Sequence, residues 1–160
     1  MQKGVKMVTD IVEDIEYKDL IEAQIYELID FLVTKDHEFS ITANIKGVKF
    51  NPAIPEPIAD SFPPFTMFSL MNYTYGTIEL TPTEISFEAG FGAENFGSVV
   101  TVPLYSIFQI IVDESILYLN PTATVEKYYE EKNHTLEAGE TQEQRSRNAF
   151  MMNKKNKNLL

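Results

Sequence analysis

The 160-residue chain contains no cysteine. That excludes a disulfide framework and a thiolate metal site, and it fits a reducing compartment. Histidine is scarce: only His37 and His134 are present. One falls near a predicted helix end and the other in a polar stretch, and no third nitrogen joins them to build a zinc centre. No apolar run approaches the ~20 residues of a membrane span. The opening MQKGVKMVTDIVED meets its acids too early to be a secretory signal. These absences predict a soluble, cytoplasmic protein without a membrane span or a zinc site.

Positive charge is also in short supply. Thirteen basic residues stand against 24 acidic ones, a net of −11, which disfavours nucleic acid as a partner. The imbalance is uneven. Residues 141–160 carry Arg145, Arg147, Lys154, Lys155 and Lys157 against Glu143, a net of +4, and the first 140 residues carry −15. An acidic body with a basic end is either a body with a solvated terminus or a body with a docking tail.

Glycine is sparse but concentrated. In FEAGFGAENFG, residues 87–97, Gly90, Gly92 and Gly97 invite comparison with a phosphate-binding loop. A strand precedes them: Ile85, Phe87, Ala89 and Phe91 recur at a spacing of two. A phosphate loop then needs a helix and a Gly-Lys-Ser/Thr. The chain instead continues as SVVTVPLYSIF, a second β-type run that stops near Pro103. The stretch therefore reads as a β-hairpin, with Gly and Asn supplying positive φ at the turn. A strand with bare glycine also lets another backbone come close.

Residues 17–33, YKDLIEAQIYELIDFLV, form the clearest helix. Ile21, Ile25, Leu28 and Leu32 recur at helical spacing, Leu20, Ile29 and Phe31 widen the stripe, and Asp19 suits the N-terminus. A stripe this wide serves either the chain's own core or a helix shared with a second subunit. Alternation then marks a strand from Phe39 to Ile45, with Gly47 as a bulge or turn. Five prolines in residues 51–65 exclude a central strand and predict a loop or an extended crossover. Ile78 and Leu80, the strand 85–91, the run to Pro103, Ile107–Val112, a turn at Asp113–Ser115 and Ile116–Leu119 come after it. The predicted fold is α+β and mostly antiparallel β: one N-terminal helix and about five or six strands in a small barrel or sandwich. From about Thr122 the pattern decays into polar sequence, partly helical or disordered. The predicted layout is an arm over 1–16, a domain over 17–121, a polar linker over 122–152 and a basic-apolar tail over 153–160.

Catalytic signatures are weak. Ser106 lacks a G-x-S-x-G frame and an evident histidine base. Glu79, Glu84, Glu88, Glu94, Asp113 and Glu114 could supply an acid/base pair, though a carboxylate on an acidic protein is usually a solvated strand face. Tyr73, Tyr75, Phe62, Phe65 and Phe68 suit an apolar cleft or, more commonly, a core. The residues themselves point to a binding module rather than an enzyme.

GTIELTPTEISFEAGFG followed by VVTVPLYSIFQIIVDESI resembles the stringent starvation protein B (SspB) family, adaptors of the ClpXP protease. That family carries an F-x-A-x-F-G-G strand and then a strand ending in V-P-L or I-P-F. Here the matching residues are Phe87, Ala89, Phe91 and Gly92, then Val102, Pro103 and Leu104. The preceding helix and the polar linker with its basic-apolar end share the same layout, so the resemblance spans roughly residues 17–120 in order. The chain departs from the pattern at Gly90, where a polar or long side chain is common, and at Ala93, where the second glycine would stand. Both bear on which tag the pocket would prefer.

The resemblance implies an Sm-like β fold, dimerisation through the helix (Ile21, Ile25, Leu28, Leu32), and a groove that holds an ssrA-type tag peptide in extended form. The groove residues it implies are Phe87, Glu88, Ala89, Gly90, Phe91, Gly92, Ala93 and Val102. It further implies that the tail docks on the ClpX N-terminal domain through Lys154, Lys155, Lys157, Leu159 and Leu160, with no catalysis, cofactor or metal. Main-chain hydrogen bonds plus side-chain pockets suit such recognition, and a linker of 122–153 would turn two weak contacts into one effective one. The rival expectations are a small β-scaffold enzyme using a carboxylate pair, an Sm-like RNA binder disfavoured by the body charge, and a peptide-interaction module unrelated to proteolysis.

Overall fold

The computed structural model describes residues 10–130. Helix α1 spans Ile15–Thr34. It starts two residues earlier than the apolar spacing alone predicts because Asp14, not Asp19, is the N-cap: its carboxylate accepts the Glu16 N–H at 2.7 Å. Just before it, Asp10 caps a single 3-10 turn, Ile11–Glu13. The C-terminus closes with two backbone bonds of 2.9 Å, Asp36 N–H to the Val33 carbonyl and His37 N–H to that of Leu32. This reverse turn places Asp36 at φ 58, a position usually held by glycine.

Eight strands come after the helix: β1 Phe39–Asn44, β2 Lys49–Asn51, β3 Phe65–Leu70, β4 Glu79–Leu80, β5 Glu84–Phe91, β6 Phe96–Pro103, β7 Ile107–Val112 and β8 Ser115–Leu119. They make two four-stranded sheets, in the orders β3-β1-β7-β8 and β2-β6-β5-β4, with every neighbouring pair antiparallel. The fold is α+β, and among the described residues the strands form two separate sheets rather than one closed barrel. The strand count exceeds the predicted five or six because β2 holds three residues, too few to show a period, and because the apolar Phe65, Met67, Phe68 and Leu70 of β3 do not alternate cleanly.

The alternation of each strand sends one face inward. Phe39, Ile41, Phe87, Val100, Ile107 and Ile110 meet there with Ile21, Ile25, Ile29 and Leu32 of α1. Each such side chain contributes about 1.5–3 kcal/mol of burial. The stripe expected to form a dimer seam is thus occupied within the chain. Ile21, Ile25 and Leu32 are buried, and of the four only Leu28 is half-buried. The apolar side chains that α1 leaves in solvent include Leu20 and Phe31, about three turns apart and nearly in line along the helix.

The proline-rich segment is not a simple loop. It contains a one-turn helix, α2, Glu56–Ala59. Beyond it the Phe62 ring stacks on Phe50 at 5.6 Å and meets Phe91 edge-on at 5.8 Å. The segment therefore plugs the end of the sandwich beside the β5–β6 turn. A third short helix, α3, Asn72–Gly76, joins β3 to β4. After β8, Asn120 anchors a 3-10 turn, Pro121–Thr124: its amide donates to the carbonyls of Ile107 (2.8 Å) and Tyr105 (3.1 Å), and its oxygen accepts the Thr122 N–H. Glu126 begins a second unit, of which residues 126–130 are described and 127–130 are helical.

Candidate functional site

The β5–β6 hairpin is the element the glycines predict. Its pairs run from Glu84↔Pro103 to Phe91↔Phe96, and the turn between holds Gly92 at φ 77 and Asn95 at φ 55. Gly92 is required twice over. Its φ lies in the left-handed region, and a Cβ there would stand 2.7 Å from Ile58 Cδ1 of α2.

Opposite residues of an antiparallel pair share a face, and the burial of Phe87 and Val100 fixes which face is inner. The pairs Glu88↔Val99 and Gly90↔Gly97 therefore lie on the outer face, with Asn51 of β2 extending the row through Val99. Here the sheet bears a groove of about 520 Å³. Its floor includes Glu88, Gly90, Gly97 and Val99, Asn51 and Pro52 bound one side, and Tyr73 and Thr74 of α3 bound the other. Ala89 and Ser98 also border it, and the Ser98 hydroxyl donates to the Pro52 carbonyl at 2.9 Å. The paired glycines lower the floor between Glu88 and Val99. Asn95 lies over one of them: a Cβ on Gly90 would fall 1.8 Å from Asn95 Oδ1.

One wall is a side-chain clamp. The Tyr73 hydroxyl donates to Glu88 Oε1 at 2.6 Å. That bond, then the Glu88 charge, hold the Tyr73 phenol above its ordinary pKa, so it remains a neutral donor. The Glu88 N–H donates to Thr77 Oγ1 at 2.8 Å.

Among the described residues, no strand pairs with the edge of β5 beside this wall. β4 pairs only with Ile85 and Ser86. The Glu84 carbonyl faces β4, accepting the Thr81 N–H at 2.9 Å, whereas the Thr83 carbonyl faces β6 and accepts from Leu104. By that alternation the even-numbered residues of β5 direct their backbone away from β6. The Glu88 carbonyl and both backbone groups of Gly90 thus point to the side where β4 has already ended.

Of the eight groove residues implied by the resemblance, Glu88, Ala89 and Gly90 come together at this groove. Phe87 and Val102 do not: both are buried in the core, because their strand positions face inward. Phe91 joins the aromatic cluster with Phe50 and Phe62. Gly92 and Ala93 lie in the hairpin turn. The groove also uses Tyr73, Thr74, Asn95, Ser98 and Val99, of which only Tyr73 carried a sequence signal, as a cleft aromatic. Lys154, Lys155, Lys157, Leu159 and Leu160 lie outside the described residues. Among the acid/base candidates Glu88 alone lines the groove, and its close partner is a tyrosine rather than a second carboxylate. Among the described residues no cluster of three or more His, Asp or Glu is placed to hold a metal ion, and no described helix is long and apolar enough to cross a membrane. Comparison with known family models and with curated proteins finds no match for this chain.

Proposed function

We propose that the chain is a peptide-binding adaptor that works as SspB-like proteins do, holding an ssrA-type degradation tag and bringing its bearer to the ClpX unfoldase. The observation that carries this reading is the groove at Glu88–Gly90, where a floor lowered by two glycines meets a strand edge that no described strand pairs. An extended peptide there would find main-chain hydrogen-bonding groups at Glu88 and Gly90 and a polar clamp at Tyr73–Glu88. Two antiparallel sheets with an N-terminal helix suit an Sm-like fold, and the F-x-A-x-F strand stands at the groove.

The reading involves no catalysis and no cofactor. It sets the protein in the cytoplasm, where ClpXP works, as a homodimer joined through the exposed Leu20 and Phe31 of α1 rather than the buried stripe. The tail, with Lys154, Lys155, Lys157, Leu159 and Leu160, would be the ClpX-docking ligand. Its contacts lie near water and should be weak and salt-sensitive alone, becoming effective when tag and tail engage together.

The test is fluorescence anisotropy of a labelled ssrA-type peptide with the full chain, paired with degradation of a tagged substrate by ClpXP. Binding should saturate and survive deletion of 153–160. Delivery should fail without the tail at low substrate concentration and recover at high concentration. A chain that does not bind the peptide, or a deletion that leaves delivery unchanged throughout, refutes the respective half.

A further inference from the structure

A larger groove, about 700 Å³, lies on the other sheet. The registers align two rows on the outer face of β3-β1-β7-β8: Ser69, Ser40, Ile111 and Ile116, then Met67, Thr42, Gln109 and Leu119. The low part of this face lies on β3 and β1, where Ser69, Ser40 and Thr42 are small and the hydroxyls of Ser40 and Ser69 meet at 3.4 Å; Ile111 and Gln109 of β7 stand beside them. Large apolar side chains stand on the two edge strands, Met67 in the groove and Ile116 and Leu119 on β8 beyond it: they are 56%, 57% and 54% exposed. This outer face is a trough with apolar walls and no covering element among the described residues.

One end of the trough is acidic. The α1–β1 connection brings Asp36 and Glu38, and the β7–β8 turn brings Asp113 and Glu114. No lysine or arginine lines the groove; its one basic group is His37, with Nε2 3.6 Å from Asp113 and Nδ1 2.9 Å from the Glu38 carbonyl. Tyr75 lines the same end, and its buried hydroxyl has no partner among the described residues. Burial, then Asp36 and Glu38, hold that phenol above its ordinary pKa, so it stays a donor. Three of the four acids occupy left-handed backbone, with Asp36 at φ 58, Asp113 at 51 and Glu114 at 70. Glycine or asparagine is the usual choice at such positions.

We propose that this face is a second docking surface, independent of the peptide groove, that takes a cationic amphipathic segment of a partner protein. Lysine or arginine would meet Asp36, Glu38, Asp113 and Glu114, while apolar side chains cover Met67, Ile111, Ile116 and Leu119. An exposed apolar face rimmed by polar groups is the form of an interaction site, and the rim charge selects the partner's sign. The same face of a second copy fits poorly, because the patch offers no lysine or arginine to answer its own acids. Nucleic acid is repelled by the same rim.

The test uses the full chain and a labelled peptide of about twelve alternating lysine and leucine residues, with a glutamate-for-lysine version as control. The lysine peptide should bind saturably and shift the amide resonances of Ser40, Met67, Ile111 and Leu119, and the glutamate peptide should not bind. Met67→Asp with Leu119→Asp should weaken binding at least ~10-fold. So should Asp36→Asn with Asp113→Asn and Glu114→Asn, where asparagine tolerates the left-handed backbone. Glu88→Gln should leave binding unchanged. Thermal melts establish that each variant is folded. Equal binding by the variants, binding of the glutamate peptide, or shifts that map to Glu88 and Gly90 would overturn the proposal. So would a folded Met67→Asp/Leu119→Asp variant that loses self-association but still binds the lysine peptide.

Discussion

Replacing Gly90 by valine separates what the groove does for stability from what it does for binding. A Cβ at this position meets Asn95 Oδ1 at 1.8 Å and Cγ at 2.6 Å. Both are atoms of one side chain at a turn, so the clash is relieved by driving Asn95 out of its rotamer, at about 0.5–1.5 kcal/mol. Against this, a β-branched residue in a strand recovers about 0.5–1 kcal/mol relative to glycine. In the parent background the two nearly offset, leaving Gly90→Val neutral to about 1 kcal/mol destabilised. Asn95→Gly removes the obstructing side chain and keeps the left-handed φ of 55 accessible. In that background Gly90→Val should become stabilising, giving a coupling of about 1 kcal/mol, or roughly 4 °C in Tm. Peptide binding should behave differently. Valine, or the Asn95 side chain it displaces, raises the floor at Gly90 and Gly97, so affinity for the ssrA-type peptide should fall at least ~10-fold in both backgrounds. Urea melts and anisotropy read the two effects. Equal destabilisation with and without Asn95 would refute the steric argument, and a folded double variant that binds as the parent does would refute the groove.

Gly92→Ala should destabilise by about 1–2 kcal/mol, since φ 77 penalises any Cβ and Ile58 Cδ1 stands 2.7 Å away; Ile58→Val should recover part of the loss in chemical melts. Tyr73→Phe should leave the melt nearly unchanged and weaken peptide binding by loosening Glu88, and unchanged binding would remove the clamp from the account. Burial raises the Glu22 pKa above 4.5, with the nearby Lys18 opposing the shift. The protonated form is thus favoured on folding, and its contribution is complete below about pH 4.5 and lost as pH rises through the folded pKa. Glu22→Gln should accordingly raise Tm at pH 7 and do little at pH 4. Leu20→Glu with Phe31→Glu should convert a dimer to folded monomer in sedimentation, whereas Ile25→Glu should unfold the chain by placing a charge in the core. A folded Ile25→Glu monomer would contradict the placement of that stripe.

Elements with a sustained period were legible in the sequence. The run Ile107–Val112 is β7 to the residue, and the alternation of Ile85, Phe87, Ala89 and Phe91 is β5. The three-residue β2 was not, because three residues carry no period, and β3 was not, because Met67 and Phe68 stand side by side and break the alternation. Helical spacing found the stripe of α1 but could not say which surface it meets. Ile25 meets the chain's own sheets, and only tertiary packing distinguishes that from a partner helix. The groove was half legible. The small residues of β5 marked Glu88, Ala89 and Gly90, but its other wall comes from α3, whose Tyr73 is brought to Glu88 by a chain reversal fifteen residues long. The inward positions Phe87 and Val102 share the motif's sequence signal with the outward ones, and only the pleat separates them.

The central claim is that an extended peptide binds at the edge of β5 that no described strand pairs, over the floor lowered by Gly90 and Gly97. Amide hydrogen exchange of the full chain, monitored by NMR with and without an ssrA-type peptide, tests it at single residues. The account predicts that peptide slows exchange at Gly90 and shifts the amides of Glu88, Gly97 and Val99, leaving Ser40, Met67 and Ile111 on the opposite sheet unchanged. A peptide that binds while Gly90 exchanges at its free rate, or that perturbs only the opposite sheet, would contradict it.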